Sequence, residues 1–263
     1  YNPTSSRNNR NLIINGAMLV KQRGGEAETA DGSYVADRFK MSYGDLDEAP
    51  TMSSIDLGST STGPWEVGLK SAIRITNGNQ TGGAGAADHS LLTYIIEAQD
   101  IRNSGWDYNS TSSYITLSFW VRSSVAQTFY GFFETADGTS QAFSWSTGAL
   151  SANTWKKVVV KVPGNTNLTF DNNTGQGIYI HPVWFFCGTD RTTSGHTLNT
   201  WANYSGTDRM PDNTSTWHTT NDATFDITGV QLEVGSVATD FEHRSFGDEL
   251  LRCQRYFQRV NGG

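Results

Sequence analysis

Apolar and polar residues alternate with a period of two along much of this chain, the pattern of half-buried β-strands. In VGLKSAIRIT, Val67, Leu69, Ser71, Ile73 and Ile75 fall on one face and Lys70 and Arg74 on the other. YITLSFWVRSS sets Ile115, Leu117, Phe119 and Val121 against Thr116, Ser118 and Trp120, as side chains of a pleated strand alternate between faces. WKKVVVKVPG turns Val158, Val160 and Val162 inward and ends at Pro163-Gly164. ATFDITGVQLEVG puts Val230, Leu232 and Val234 on one face. TFYGFFETADGTSQAFSWST predicts a hairpin, because Asp137-Gly138 supplies the positive-φ residues of a tight turn between two aromatic-rich runs. In GIYIHPVWFF, Pro182 predicts a sheet edge or a bulge. Near the start, NLIINGAML is a short apolar run, and Val35, Phe39 and Met41 mark a further strand in YVADRFKMSY.

A helix is predicted only at the end. In SFGDELLRCQRYFQRV, Ser245 caps with Asp248 three residues on, and acidic residues lead while Arg252, Arg255 and Arg259 trail, as the helix dipole favours. Phe246, Leu250, Cys253, Phe257 and Val260 form its apolar stripe. Short strands separated by Gly, Asn and Asp turns, with one terminal helix, predict an all-β antiparallel sandwich of the jelly-roll type carrying a C-terminal α-helix. The expected division is a linker or cut end at 1–10, the sandwich over 11–245, and the helix and tail over 246–263.

Composition narrows the function. Only 17% of residues are charged, 12% are aromatic, and the net charge is -7. The acidic balance excludes a phosphate-tracking surface, so no nucleic-acid partner is expected. No apolar run approaches the roughly 20 residues that span a bilayer, so no membrane insertion is expected. Cys187 and Cys253 form no CxxC pair and read as two free buried thiols. The five histidines include no pair at helical spacing, there is no HExxH and no GxSxG, and no catalytic set is expected. Asp100, Asp107, Glu134, Asp137 and Asp171 are the carboxylates from which a glycan-cleaving pair would have to come. DNNTGQG, from Asp171, has oxygen ligands at alternate positions but lacks the distal acidic residue of a calcium loop. It reads as a turn; no cofactor is expected, with a structural calcium as the alternative.

Three segments resemble a pattern that recurs in bacteriophage tail-fibre and other virion proteins. NLIINGAMLVKQRG is similar to that family's opening, YVADRF to its Y-DRW element with Phe39 where the family often has Trp, and VQLEVGSVATDFEHRSFGDELLRCQRYF to its closing signature. The resemblance brackets residues 11 to 257. It implies a sandwich similar to carbohydrate-binding modules, located in the virion, with other virion subunits as partners, a homo-oligomer in which a trimer is favoured, and no shared catalytic residues. In the closing motif, Glu233, Glu242 and Arg244 are expected to pin the chain's entry into the helix through charge-assisted hydrogen bonds.

Sugars rest their C-H faces on exposed aromatic rings, with polar side chains reading the hydroxyls. Trp106, Tyr108, Trp201, Tyr204 and Trp217 lie in turn-rich surroundings with Asn, Asp and Thr nearby, and three of them fall in the irregular stretch from Gly188 to Asp222. They are the expected contacts for a host-surface glycan. A purely structural capsid or tail accessory is the competing expectation, and a depolymerase a more remote one.

Overall fold

The computed structural model describes residues 9–24 and 26–259. The expected linker at 1–10 and the stripe residue Val260 therefore lie wholly or mostly outside the described residues. In chain order the strands are β1 (Ala27–Glu28), β2 (Lys40–Gly44), β3 (Thr51–Asp56), β4 (Ser71–Thr76), β5 (His89–Glu97), β6 (Tyr114–Ser123), β7 (Thr128–Thr135), β8 (Gln141–Ala149), β9 (Lys156–Pro163), β10 (Gln176–Cys187), β11 (Trp201–Asn203) and β12 (Thr224–Val234). Two helices follow β5 and β12, α1 (Ala98–Arg102) and α2 (Phe246–Gln254). The strands form two six-stranded antiparallel sheets, ordered β1-β3-β4-β12-β6-β9 and β11-β8-β7-β10-β5-β2. This is the expected sandwich with a C-terminal helix.

Alternation explains which side chains fill the space between the sheets. Ile115, Leu117, Phe119 and Val121 of β6, with Val158, Val160 and Val162 of β9, face Tyr94, Phe133, Trp145, Ile178 and Ile180 of the opposite sheet, all buried. Each large apolar side chain taken fully out of water contributes roughly 1.5 to 3 kcal/mol. The prediction at the strand ends is less accurate. Val67 lies ahead of β4 and is 41% exposed, and Val234, the last residue of β12, is 37% exposed.

β10 is an interior strand, so of the two readings of Pro182 the bulge holds and the edge does not. Register shifts interrupt its pairing with both β5 and β7 around Pro182. The bulged backbone presses onto Gly131 of β7, where a Cβ would meet the Pro182 carbonyl oxygen at 2.4 Å and that of His181 at 2.5 Å. These are backbone atoms that no rotamer can move aside. Gly131→Ala is expected to cost about 3 kcal/mol, at the upper end of overpacking penalties, read as a lower denaturation midpoint; an unchanged midpoint would refute the close approach.

The opening run NLIINGAML forms no strand. It lies along β12, where Leu12 N–H donates to the Leu232 carbonyl at 2.8 Å and Val230 N–H to that of Gly16 at 2.9 Å. Gly16 is required here, because a Cβ would sit 2.1 Å from the Val230 oxygen. Asn11 completes the pairing: its Oδ1 accepts from Leu232 N–H at 2.9 Å and its Nδ2 donates to the Val230 oxygen at 3.2 Å.

The terminal helix is capped as expected, Ser245 accepting from Asp248 N–H at 3.2 Å. Its apolar stripe forms only in part, with Cys253 buried and Leu250 half-buried. Phe246 is 57% exposed, and the helix stops at Gln254, before Phe257. The helix docks through polar groups as well: buried Glu249 accepts from Asn15 N–H, and Arg255 reaches Glu97 at 2.6 Å. Beyond it, Tyr256 and Phe257 turn back under the guanidinium groups of Arg38 and Arg23. Cys187 and Cys253 are free and buried, and burial pushes both thiols up to about 12. Among the described residues no helix is long and apolar enough to cross a membrane.

Candidate functional site

β10 runs through the second sheet with rings on both of its faces. Ile178, Ile180 and Phe185 point into the core, while Tyr179, His181 and Trp184 belong to the outer face. Pairing sets their neighbours: Tyr179 lies between Ile95 and Glu134, His181 beside Phe132, and Trp184 between Leu91 and Tyr130. The result is a field of rings across two neighbouring strands, β7 and β10. Phe132 and His181 are 4.5 Å apart, Phe132 and Trp184 5.7 Å, and Tyr179 lies parallel to His181 at 6.3 Å.

Part of this field is roofed by the segment from Gly188 to Met210. Met210 is fully buried against Leu91, Phe132, Trp184 and Cys187. The segment is bonded along its length: Arg191 Nη1 donates to the Ala87 oxygen at 2.6 Å, Asn199 N–H to the Ser144 oxygen at 2.7 Å, and β11 pairs with β8. Its second half delivers Tyr204 and Arg209 to the rings. Tyr204 stacks on Phe132 at 6.3 Å, and its hydroxyl accepts from Arg209 Nε at 2.9 Å. The Arg209 guanidinium lies 5.3 Å from the Trp184 ring.

Where the roof stops, Lys40, Ile95, Tyr179, Glu134 and Tyr204 are half-buried. Burial raises the Glu134 carboxyl above its ordinary range, opposed by Arg209. Burial, reinforced by Glu134, also raises the Tyr179 phenol. His181 is driven down to about 3 by burial, with Arg209 and Lys40 adding to the effect. It is therefore a neutral ring at physiological pH, and its Nδ1 lies 3.1 Å from Thr93 Oγ1. Phe132, His181 and Trp184 are buried and back the face, which thus offers a ligand the half-buried rings and hydroxyls of Tyr179 and Tyr204, the Glu134 carboxyl and the Arg209 guanidinium, the chemistry that holds a polyhydroxylated ligand.

Of the five aromatics expected to contact a glycan, only Tyr204 lies at this face. Trp217 is fully buried, its Nε1 donating to the Thr224 oxygen at 3.1 Å and its ring packed on Phe129 and Phe185. Trp201 is a strand residue that packs on Phe143 and donates to the Pro163 oxygen at 2.7 Å. Trp106 is buried at one end of the sandwich, and half-buried Tyr108 stands edge-on to Phe170 at 4.9 Å. The three tryptophans are core residues: an indole fills more space between two sheets than any other side chain, and turn-rich flanks do not reveal which way it points. Tyr179, His181, Phe132, Trp184, Glu134 and Arg209 were missed. Their signal was present, since GIYIHPVWFF and TFYGFFET carry rings on both alternating sets of positions, one set more than the core needs.

The other expected residues are placed as follows. Glu242 accepts from the N–H groups of Asn9 at 2.6 Å and Asn11 at 2.8 Å. Arg244 donates to the carbonyls of Asn11 and Ile13 and to Glu242. Glu233 accepts from Gln231 and from both the N–H and hydroxyl of Thr239, with Arg10 at 3.5 Å. Of the five carboxylates, Glu134 alone lies on the aromatic face; Asp137 is engaged by Asp171 N–H at 3.0 Å, and Asp100 lies on α1. In DNNTGQG, Asn173 Oδ1 accepts from Gly175 N–H at 2.8 Å, a turn, and no group of three or more His, Cys, Asp or Glu among the described residues is arranged to hold a metal ion.

No protein-family model matches the chain, and no curated protein matches it. Among solved structures, the enzymatically active domain of tailspike protein 4 from bacteriophage CBA120 is similar over 86% of this chain and 22% of its own, at 10% identity and a TM-score of 0.40. The chain thus spans less than a quarter of that protein's length. A Bacteroides thetaiotaomicron protein described as sugar-binding is similar over 86% of this chain and 100% of its own, at 11% identity and a TM-score of 0.47. The C-terminal family 22 carbohydrate-binding module of a Clostridium thermocellum protein is similar over 80% and 98%, at 14% identity and a TM-score of 0.38.

Proposed function

We propose that this chain is a glycan-binding β-sandwich of a phage virion appendage, and that the outer face of the β10-containing sheet holds the sugar. The observation that carries the glycan reading is the half-roofed field of rings, in which Tyr179 and Tyr204 flank Glu134 and Arg209. An apolar pocket would not need a guanidinium and a raised carboxyl, and a nucleic-acid groove would not be acidic. The virion reading is supported by the resemblance of the opening and closing segments, which lie against each other through Glu242, Arg244 and Asn11. Contacts with other virion subunits, including further copies of this chain in the favoured trimer, are what that same resemblance implies.

A glycan array probed with the purified chain and with Tyr179→Ala tests the site. The wild type is expected to bind a defined glycan saturably, and the variant to bind about tenfold more weakly, near 1.4 kcal/mol, as the loss of one stacking ring implies. Undiminished binding by a folded Tyr179→Ala protein would place the sugar elsewhere.

A further inference from the structure

Beside the aromatic field, three side chains from two parts of the chain form a relay that no local sequence motif announces. Ser144 lies on β8, next to Phe132 in register. Its Oγ is 2.5 Å from His196 Nε2, and His196 Nδ1 is 2.7 Å from Asp208 Oδ1. A carboxylate only accepts, so the imidazole proton sits on Nδ1, which leaves the Nε2 lone pair to receive the Ser144 hydroxyl proton. Nucleophile, base and orienting carboxylate thus stand in the order and tautomer that activate a serine.

A chain of hydrogen bonds that only pins the roofing segment would need no space at its serine. Here a cleft of about 190 Å³ opens on Ser144, His196 and Asp208, walled by the small side chains of Ala142 and Ala202 and by Asn203. It is smaller than the roughly 300 Å³ at which pockets for larger ligands begin, which suits a short acyl group.

We propose that Ser144, His196 and Asp208 hydrolyse a small acyl ester by way of an acyl-serine. Ser144 Oγ bonds to the ester carbonyl carbon as its proton passes to His196 Nε2, and Asp208 stabilises the resulting imidazolium. Collapse breaks the bond to the leaving alcohol, which takes the proton from Nε2. Water then attacks the acyl-serine, its proton moving through Nε2 back to Ser144 Oγ, and the carboxylic acid departs. The preferred substrate is an O-acyl group on a sugar hydroxyl; that choice rests on the glycan reading, whereas the esterase activity does not.

The test uses 4-nitrophenyl acetate turnover and fluorophosphonate labelling of the purified chain, beside Ser144→Ala, His196→Gln and Asp208→Asn. Turnover above the buffer rate is expected, with the fluorophosphonate mass found on the Ser144 peptide. Ser144→Ala and His196→Gln are expected to lose turnover by more than about 100-fold, and Asp208→Asn, altered at a largely exposed residue, to fold and turn over more slowly than wild type. Should the other variants fail to fold, the wild-type label on Ser144 decides. A folded wild type with neither turnover nor label, or turnover that survives Ser144→Ala, overturns the proposal. Glycan binding is scored separately on the array, so loss of one reading is distinguishable from loss of the other.

Discussion

Arg244→Ala is expected to lower the free energy of unfolding by about 3 to 5 kcal/mol, the cost of removing one partner from a buried ionic network. The Arg244 side chain is 7% exposed and joins three chain segments: it donates to the carbonyls of Asn11 and Ile13 and bridges Glu242 at 3.0 Å and Glu249 at 3.5 Å. Alanine leaves the buried Glu249 and half-buried Glu242 carboxylates without the cation they share. It also removes the donors to the Asn11 and Ile13 carbonyls and the cation beside Glu242, the carboxylate that accepts from the N–H groups of Asn9, Arg10 and Asn11. Lysine retains the charge but not the planar fork, so Arg244→Lys is expected to recover only part of the loss. Guanidinium denaturation measures both. A loss below about 1 kcal/mol in Arg244→Ala would mean that the crossing of the two ends is not held by this network.

The second large effect is acid destabilisation. His181 falls from 6.5 to about 3 on folding because it is buried neutral. Between those values the unfolded chain binds a proton that the folded chain does not. Stability from this group is therefore complete above pH 6.5 and lost as pH falls towards 3, amounting to about 3 kcal/mol by pH 4 at ~1.36 kcal/mol per unit. Buried His218 has the same sign: burial lowers it, against the raising influence of Asp88 at 3.1 Å. Glu242 and Glu97 extend the loss to lower pH. Burial alone would raise them, but N–H donors and arginines together depress both, so their contribution is present above about 4.5 and lost below. Glu134 and Asp100 oppose the trend, since burial raises them and the folded state prefers them protonated. Denaturation midpoints at steps between pH 7 and pH 4 are expected to fall steadily, and His181→Gln to fall less steeply than wild type. Parallel slopes would show that His181 does not titrate on unfolding.

Strands with one wet face were the most legible part of the sequence. β6 and β9 alternate cleanly because each has a core side and a polar or half-covered side. β5 was not foreseen: both of its faces are covered, so HSLLTYIIE carries no alternation to detect. The same covering concealed the site, for a strand whose outer face is aromatic looks like a strand with a large core. Turn-rich surroundings, by contrast, pointed to Trp106, Trp201 and Trp217, which the fold draws inside. Ser144 and His196 are 52 residues apart, and His196 and Asp208 are 12 apart. Their meeting depends on how the roofing segment crosses β8, which no spacing rule encodes. In the closing segment the polar residues were legible because charged groups flanking buried Leu232 need partners. The stripe on α2 was only partly right because the helix docks through Cys253 together with the polar groups of Glu249 and Arg255, while Phe246 faces outward.

The most direct test of the glycan-binding face is a chemical-shift titration of the isotope-labelled chain with an oligosaccharide selected on the array. The largest changes are expected at the backbone amides of Thr93, Glu134, Tyr179 and Tyr204, with little change at Arg74, Arg122 and Asp226 on the opposite sheet. Changes centred on that opposite sheet, or no saturable change with any oligosaccharide, would contradict the assignment of the sugar site to the face around β10.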